Sequence, residues 1–188
     1  MEGEAVDLIS KSRSLITMEA RLYIEPVPRR GHVSAPAGDK VCLYGGGIRS
    51  SFEEKDSLHQ FDLLSRRWTR TRTEGPKLRD ASSVSVDTEI YIYGGYDGSD
   101  YLDSLHQLST KTGTWKELVG QGGRPMRKQD SGMVHYEHKL FIMGGYGIPS
   151  GPMQPGATFR EYRDGRGIGW TNELHCFNLK DGRSNVLC

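Results

Sequence analysis

KLFIMGGYG, residues 139–147, carries four consecutive apolar side chains into a pair of glycines and a tyrosine. The same arrangement occurs in VCLYGGG at 41–47 and in EIYIYGGY at 89–96. The glycine pairs start at Gly45, Gly94 and Gly144, spacings of 49 and 50 residues. A single such stretch reads as a strand and a turn, whereas three at a constant interval read as a copied unit.

Other features keep the same phase. SLHQFDLLSRRW (57–68), SLHQLSTKTGTW (104–115) and ELHCFNLKDGRS (173–184) each carry Leu-His at their second and third positions, and ten residues after the Leu stand Trp68, Trp115 and, in the third, Ser184. Upstream, RRGHVSAPAGDK (29–40), LRDASSVSVDTE (78–89) and KQDSGMVHYEHK (128–139) precede each apolar run at equal distance. In the second copy, SSVSV (82–86) alternates and TEIYIY (88–93) is β-branched and aromatic. Both are predicted strands, with a turn at Asp87. SLHQLS and TWKEL supply a third and a fourth strand around a hairpin turn at 111–113. Each unit is therefore expected to be a four-stranded antiparallel sheet. One such sheet cannot cover both its faces, so neighbouring units must stack. Gly-Gly at a strand end suits positive φ or a close backbone approach.

A four-stranded unit of this length with a glycine pair and a distal Trp resembles the kelch repeat, which implies an all-β fold made of β-propeller blades. On this reading residues 1–20 are a lead-in without repeat features, and 21–188 hold the repeats: 29–77, 78–126, and 127–188, a third unit without its closing Trp. RLYIE (21–25) is the alternative candidate for an outer strand. Since propellers close with four to eight blades, about three blades are expected to form an incomplete ring, part of a longer design.

Composition narrows the function classes. The chain has 25 Lys+Arg against 24 Asp+Glu over 188 residues, which gives no electrostatic case for nucleic acid or an anionic membrane. No apolar run reaches the length of a membrane span. The N-terminus lacks a secretory h-region, and Cys42, Cys176 and Cys188 have no metal-type spacing, so a cytoplasmic or nuclear location is expected. His59, His106 and His175 share one phase, but equivalent positions in separate blades lie apart, and no metal or other cofactor is expected. No nucleophile or phosphate-loop motif stands out.

The third unit departs from the others by a long insertion, YGIPSGPMQPGATFREYRDGRGIGWTNE (146–173), where the second unit has only YDGSDYLDS. It carries Tyr146, Phe159, Tyr162 and Trp170 beside Arg160, Arg163 and Arg166, aromatic and cationic types suited to anchoring a peptide. DSGMVHYEHKLFIMGGYG followed by this insertion and GWTNELHCFNL resembles the third blade of the kelch-domain substrate receptors of cullin-2 ubiquitin ligases. The resemblance implies a non-enzymatic protein-binding module that holds the C-terminal tail of a client in a pocket. It also implies a cullin-RING ligase as a partner, recruited through parts outside this chain. The family's pocket Tyr after Gly-Gly matches Tyr146, and its pocket Trp matches Trp170. Its two cationic positions fall on Ile168 and Asp130, with Arg166 and Lys128 each two residues earlier. Tyr146, Trp170, Arg166 and Lys128 are thus the candidate peptide-binding residues. The competing expectation is a structural kelch scaffold for cytoskeletal or trafficking partners. An enzyme would need clustered Tyr, His, Cys or carboxylate ligands that the sequence does not group.

Overall fold

In the computed structural model, which describes residues 25–47, 57–153, 155–162 and 165–187, the apolar runs before the glycine pairs are the second strands of three sheets. The strands are, in order, β1 (Arg30–Ala37), β2 (Lys40–Gly47), β3 (Ser57–Asp62), β4 (Arg67–Arg72), β5 (Ser82–Val86), β6 (Glu89–Tyr93), β7 (Leu105–Ser109) and β8 (Trp115–Glu117). They continue as β9 (Gln121–Gly122), β10 (Arg127–Gln129), β11 (Gly132–Tyr136), β12 (Lys139–Met143), β13 (Tyr146–Ile148) and β14 (Phe159–Glu161). The last three are β15 (Gly169–Thr171), β16 (Leu174–Asn178) and β17 (Arg183–Val186). There is no helix among the described residues, hence none long and apolar enough to cross a membrane.

The first unit is the sheet β1-β2-β3-β4 and the second is β5-β6-β7-β8, both antiparallel. The third is β11-β12-β16-β17, extended at its edge by β9, which comes from the link after the second unit and pairs parallel to β17. The register repeats with the sequence phase. Leu43 faces His59, Ile92 faces His106 and Ile142 faces His175. Likewise Phe61 faces Trp68, Leu108 faces Trp115 and Phe177 faces Ser184. Equal phase therefore means equal place in a blade. The lead-in at 1–20 and most of RLYIE lie outside the described residues.

The core lies between sheets. One buried cluster joins Val33, Cys42, Tyr44 and Leu58 of the first unit to Leu78, Ile90, Ile92 and Leu108, with Trp115 packed against it. A second joins Tyr91, Tyr93 and Leu105 to Leu140, Ile142 and Phe177. The inner strands β1, β5 and β11 are neighbours in that order, giving an arc of blades and no closed ring among the described residues.

The glycine pairs explain how the blades dock. Gly45 and Gly94 have φ of +69° and +65°. A Cβ on Gly45 would stand 2.5 Å from the carbonyl oxygen of Leu78, and one on Gly94 would run into that of Lys128. The following amides use those same carbonyls: Gly46 N–H donates to Leu78 O and Gly95 N–H to Lys128 O, each at 2.9 Å. Each pair is thus a seat for the backbone that opens the next unit, and both positive φ and steric access require glycine there. A second tie runs nearby, with the Asp80 amide donating to Gly31 O at 2.7 Å and the Asp130 amide to Asp80 O at 2.9 Å.

Candidate functional site

The insertion of the third unit is not a structureless loop. Its three strands join β10, from the start of the unit, in a second small antiparallel sheet in the order β10-β13-β15-β14. Two glycines make this sheet possible. Gly147 and Gly169 face each other across β13 and β15, and a Cβ on either would collide with the backbone of the outer strand, at Arg127 O and Arg160 O respectively. Beyond the sheet, the Thr158 amide bonds to the side chain of Asn172, and the Thr171 hydroxyl donates to Thr158 O at 3.1 Å, closing the insertion's base.

On this sheet Tyr146 and Trp170 are direct cross-strand partners, and their ring centroids are 5.1 Å apart. The contact is one link in a row of rings. Tyr162 meets Trp170 at 5.7 Å, Tyr101 meets Tyr146 at 6.0 Å, and Tyr96 meets Tyr101 at 5.4 Å, all edge-on. The guanidinium of Arg79 caps the row, 5.1 Å from the Tyr96 centroid. Such separations lie in the favourable range for aromatic pairs. The row spans the second and third units, and Trp170 at its outer part keeps 49% of its surface exposed. Asp130, Gly145, Tyr146 and Trp170 line an open cleft of about 390 Å³. Burial, then the neighbouring rings Tyr146 and Tyr96, push the Tyr101 phenol above its usual value, so it is a neutral hydroxyl at physiological pH.

Of the four residues singled out from the sequence, Tyr146 and Trp170 come together, while Arg166 and Lys128 do not join them in lining the cleft. Arg166 is exposed in the 165–167 turn. Lys128 is fully buried, with its ammonium 3.0 Å from Glu173 Oε2 and 5.9 Å from the Tyr93 ring centroid. The same carboxylate oxygen accepts the Met126 amide at 3.1 Å. Burial lowers the Lys128 pKa and Glu173 pulls against it. The pair is specific to the third unit, because the equivalent positions hold Arg29 and Ser57 in the first unit and Leu78 and Ser104 in the second. Where the second unit has a hydrophobic residue and a serine, the third has a buried ion pair, whose strength depends on both partners remaining.

Tyr96 and Tyr101 escaped the sequence reading, although a signal existed. Tyr96 follows Gly-Gly in the second unit as Tyr146 does in the third, exactly one repeat apart in phase. Glu173 offered no such signal, since its partner is 45 residues away in sequence. Among the described residues no three His, Cys, Asp or Glu side chains gather as a metal site. His59 and His175 are buried within their own blades, and His106 packs on Trp115 at 6.0 Å.

Comparison with known proteins agrees with this architecture. The family model described as the KLHDC2/KLHL20/DRC7 Kelch-repeats domain matches residues 11–187. The chain is similar to Kelch domain-containing protein 2 of Homo sapiens, 25% identical over 173 residues, covering 82% of this chain and 43% of that protein. Kelch domain-containing protein 3 of Rattus norvegicus is 31% identical over 172 residues, covering 85% of this chain and 44% of its own length. Kelch domain-containing protein 1 of Mus musculus is 26% identical over 167 residues, covering 81% and 41%. The chain thus spans less than half the length of the curated relatives it matches.

Proposed function

Because this chain belongs to the kelch-repeat family, we propose that it is a non-enzymatic protein-binding module that recognises the C-terminal tail of a client protein. In this reading it forms part of a ubiquitin-ligase substrate receptor working in the cytoplasm or nucleus. Tyr146 and Trp170 are the walls against which the tail lies. Arg166, on the neighbouring exposed turn, supplies the cation for the terminal carboxylate. Lys128 acts at one remove: paired with Glu173, it holds the strand that carries the cleft rim.

What supports this reading is the row of rings that includes a half-exposed Trp at an open cleft. Aromatic side chains bury much area at low entropic cost, which suits them as anchors for a peptide. A carboxylate recognised by arginine gains a charge-assisted hydrogen bond that an amide cannot replace.

The test is binding of glycine-ended peptides with free and amidated C-termini, followed by fluorescence of the native tryptophans. Free peptides are expected to bind about tenfold or more tighter, a difference of ~1.4 kcal/mol. Trp170→Ala is expected to weaken both while leaving the fold intact. Equal affinity for the two peptide forms would remove tail recognition, and unchanged affinity in Trp170→Ala would remove the cleft.

A further inference from the structure

The chain buries one kind of interface twice. The first unit presents Ala35, Ala37 and Tyr44 to Ile90, Ile92 and Leu108 of the second. The second unit presents Val84, Val86 and Tyr93 to Leu140, Ile142 and Phe177 of the third. At the two ends of the arc the same surfaces recur with no further unit against them among the described residues. The far flank of the third unit carries Val134, Tyr136 and Met143, all exposed, at the phase of Val84, Val86 and Tyr93. The near flank of the first carries Val41, Leu43 and Phe61 at the phase of Ile90, Ile92 and Leu108. Val41 is 36% exposed where Ile90 and Leu140 are at 1% and 0%, and Leu43 and Phe61 are only half-buried.

The backbone seats recur with the side chains. Gly45 and Gly94 each receive the carbonyl that opens the next unit, from Leu78 and from Lys128. Gly144 keeps their left-handed conformation, with φ of +65°. A Cβ on Gly144 would meet nothing nearer than Thr171 O at 3.5 Å, so the third seat is built and open. The remaining residue at the phase of Leu78 and Lys128 is Arg29, at the opposite end of the arc.

We propose that the third flank of one copy of this chain docks head-to-tail on the first flank of a second copy, and that two arcs close a six-bladed ring. A second copy carries both surfaces left uncovered, so a single kind of partner covers both ends at once. A head-to-tail contact made twice about a twofold axis closes on itself. Six blades lie within the range at which propellers close. At each junction the second copy's Arg29 carbonyl takes the seat on Gly144 and accepts the Gly145 N–H, as Leu78 and Lys128 do for Gly46 and Gly95. Val134, Tyr136 and Met143 then lose their exposed apolar area to the second copy's Val41, Leu43 and Phe61, which favours association. This contact is independent of what the cleft at Tyr146 and Trp170 binds.

The experiment is sedimentation velocity of the 188-residue chain. At tens of micromolar, a species of twice the monomer mass is expected. Dilution to nanomolar chain is expected to return single arcs with the third flank bare. Met143→Lys on one flank and Val41→Glu on the other are each expected to weaken the dimer about tenfold or more. Both positions are exposed in the single arc, so both variants should fold, which circular dichroism checks. Should one fail to fold, the other decides. An equimolar mixture of the two is expected to associate more strongly than either alone, because one intact contact remains between them. A monomer at tens of micromolar, or larger open assemblies in place of a dimer, would overturn the ring. A dimer that survives either substitution, or a mixture no better associated than its parts, would overturn the head-to-tail contact.

Discussion

At the third-unit position where earlier blades carry tryptophan, Ser184 places its hydroxyl 2.6 Å from His175 Nε2. The consequence is a titration. His175 is buried, and desolvation lowers its pKa to about 4, with Glu173 opposing and Lys128 assisting. The unfolded chain titrates near 6.5 and so takes up the proton first as pH falls. The stability from neutral burial is complete above pH 6.5 and is lost as pH falls toward about 4. Its size is about 3 kcal/mol from the separation of the two values. In urea titrations, His175→Gln is expected to lack this part of the wild-type acid destabilisation. Parallel pH profiles for the two proteins would contradict it. The histidine was visible in the sequence at a repeated phase, but its environment was not. His106 at the same phase packs on an indole while His175 bonds to a hydroxyl.

At the scale of elements, the insertion shows how local composition misleads. Its many glycines and prolines read as an open loop, yet β10, β13, β15 and β14 make a sheet because two of those glycines let strands approach. Gly147 and Gly169 are needed for lack of a side chain, at a place where no turn is involved. Gly147→Ala is expected to cost about 1–3 kcal/mol, the usual range for forcing extra atoms into a packed site. The loss should be local. Hydrogen exchange should show protection falling at 127–129 and 146–148, with β1 to β4 unchanged. Uniform loss across all sheets would mean that the small sheet is part of the global core. The same element carries both aromatic residues chosen from the sequence. Their pairing was legible only as a resemblance, because cross-strand register is not written in spacing when the connecting loop is long.

Across the whole molecule, equivalent positions differ in burial according to which blades have a neighbour. Tyr44 and Tyr93 are buried, whereas Met143 at the same phase is 61% exposed. Ala37 is buried and Val86 packs against the second cluster, but Tyr136 is 66% exposed. The flank that one unit buries against the next is bare on the third among the described residues. Substitutions at one phase should therefore have unequal costs. Tyr93→Ala is expected to destabilise by about 3–5 kcal/mol, as large core truncations do. Met143→Ala should stay within about 0.5 kcal/mol, like other surface changes. Denaturant midpoints measured side by side would decide, and equal losses would mean that the third flank is covered in solution.

The amino-acid sequence alone determined the module, its period and the four strands of each unit, because these follow from alternation, turn residues and the phase of Gly-Gly, Leu-His and Trp. It also picked Tyr146 and Trp170, which the folded chain places in contact. Only the tertiary structure decided where Lys128 points and that Tyr96 and Tyr101 extend the row of rings. The physical reason is range. Strand pattern depends on neighbours a few residues apart, whereas the buried Lys128–Glu173 pair and the Tyr101–Tyr146 contact each join side chains 45 residues apart in the chain.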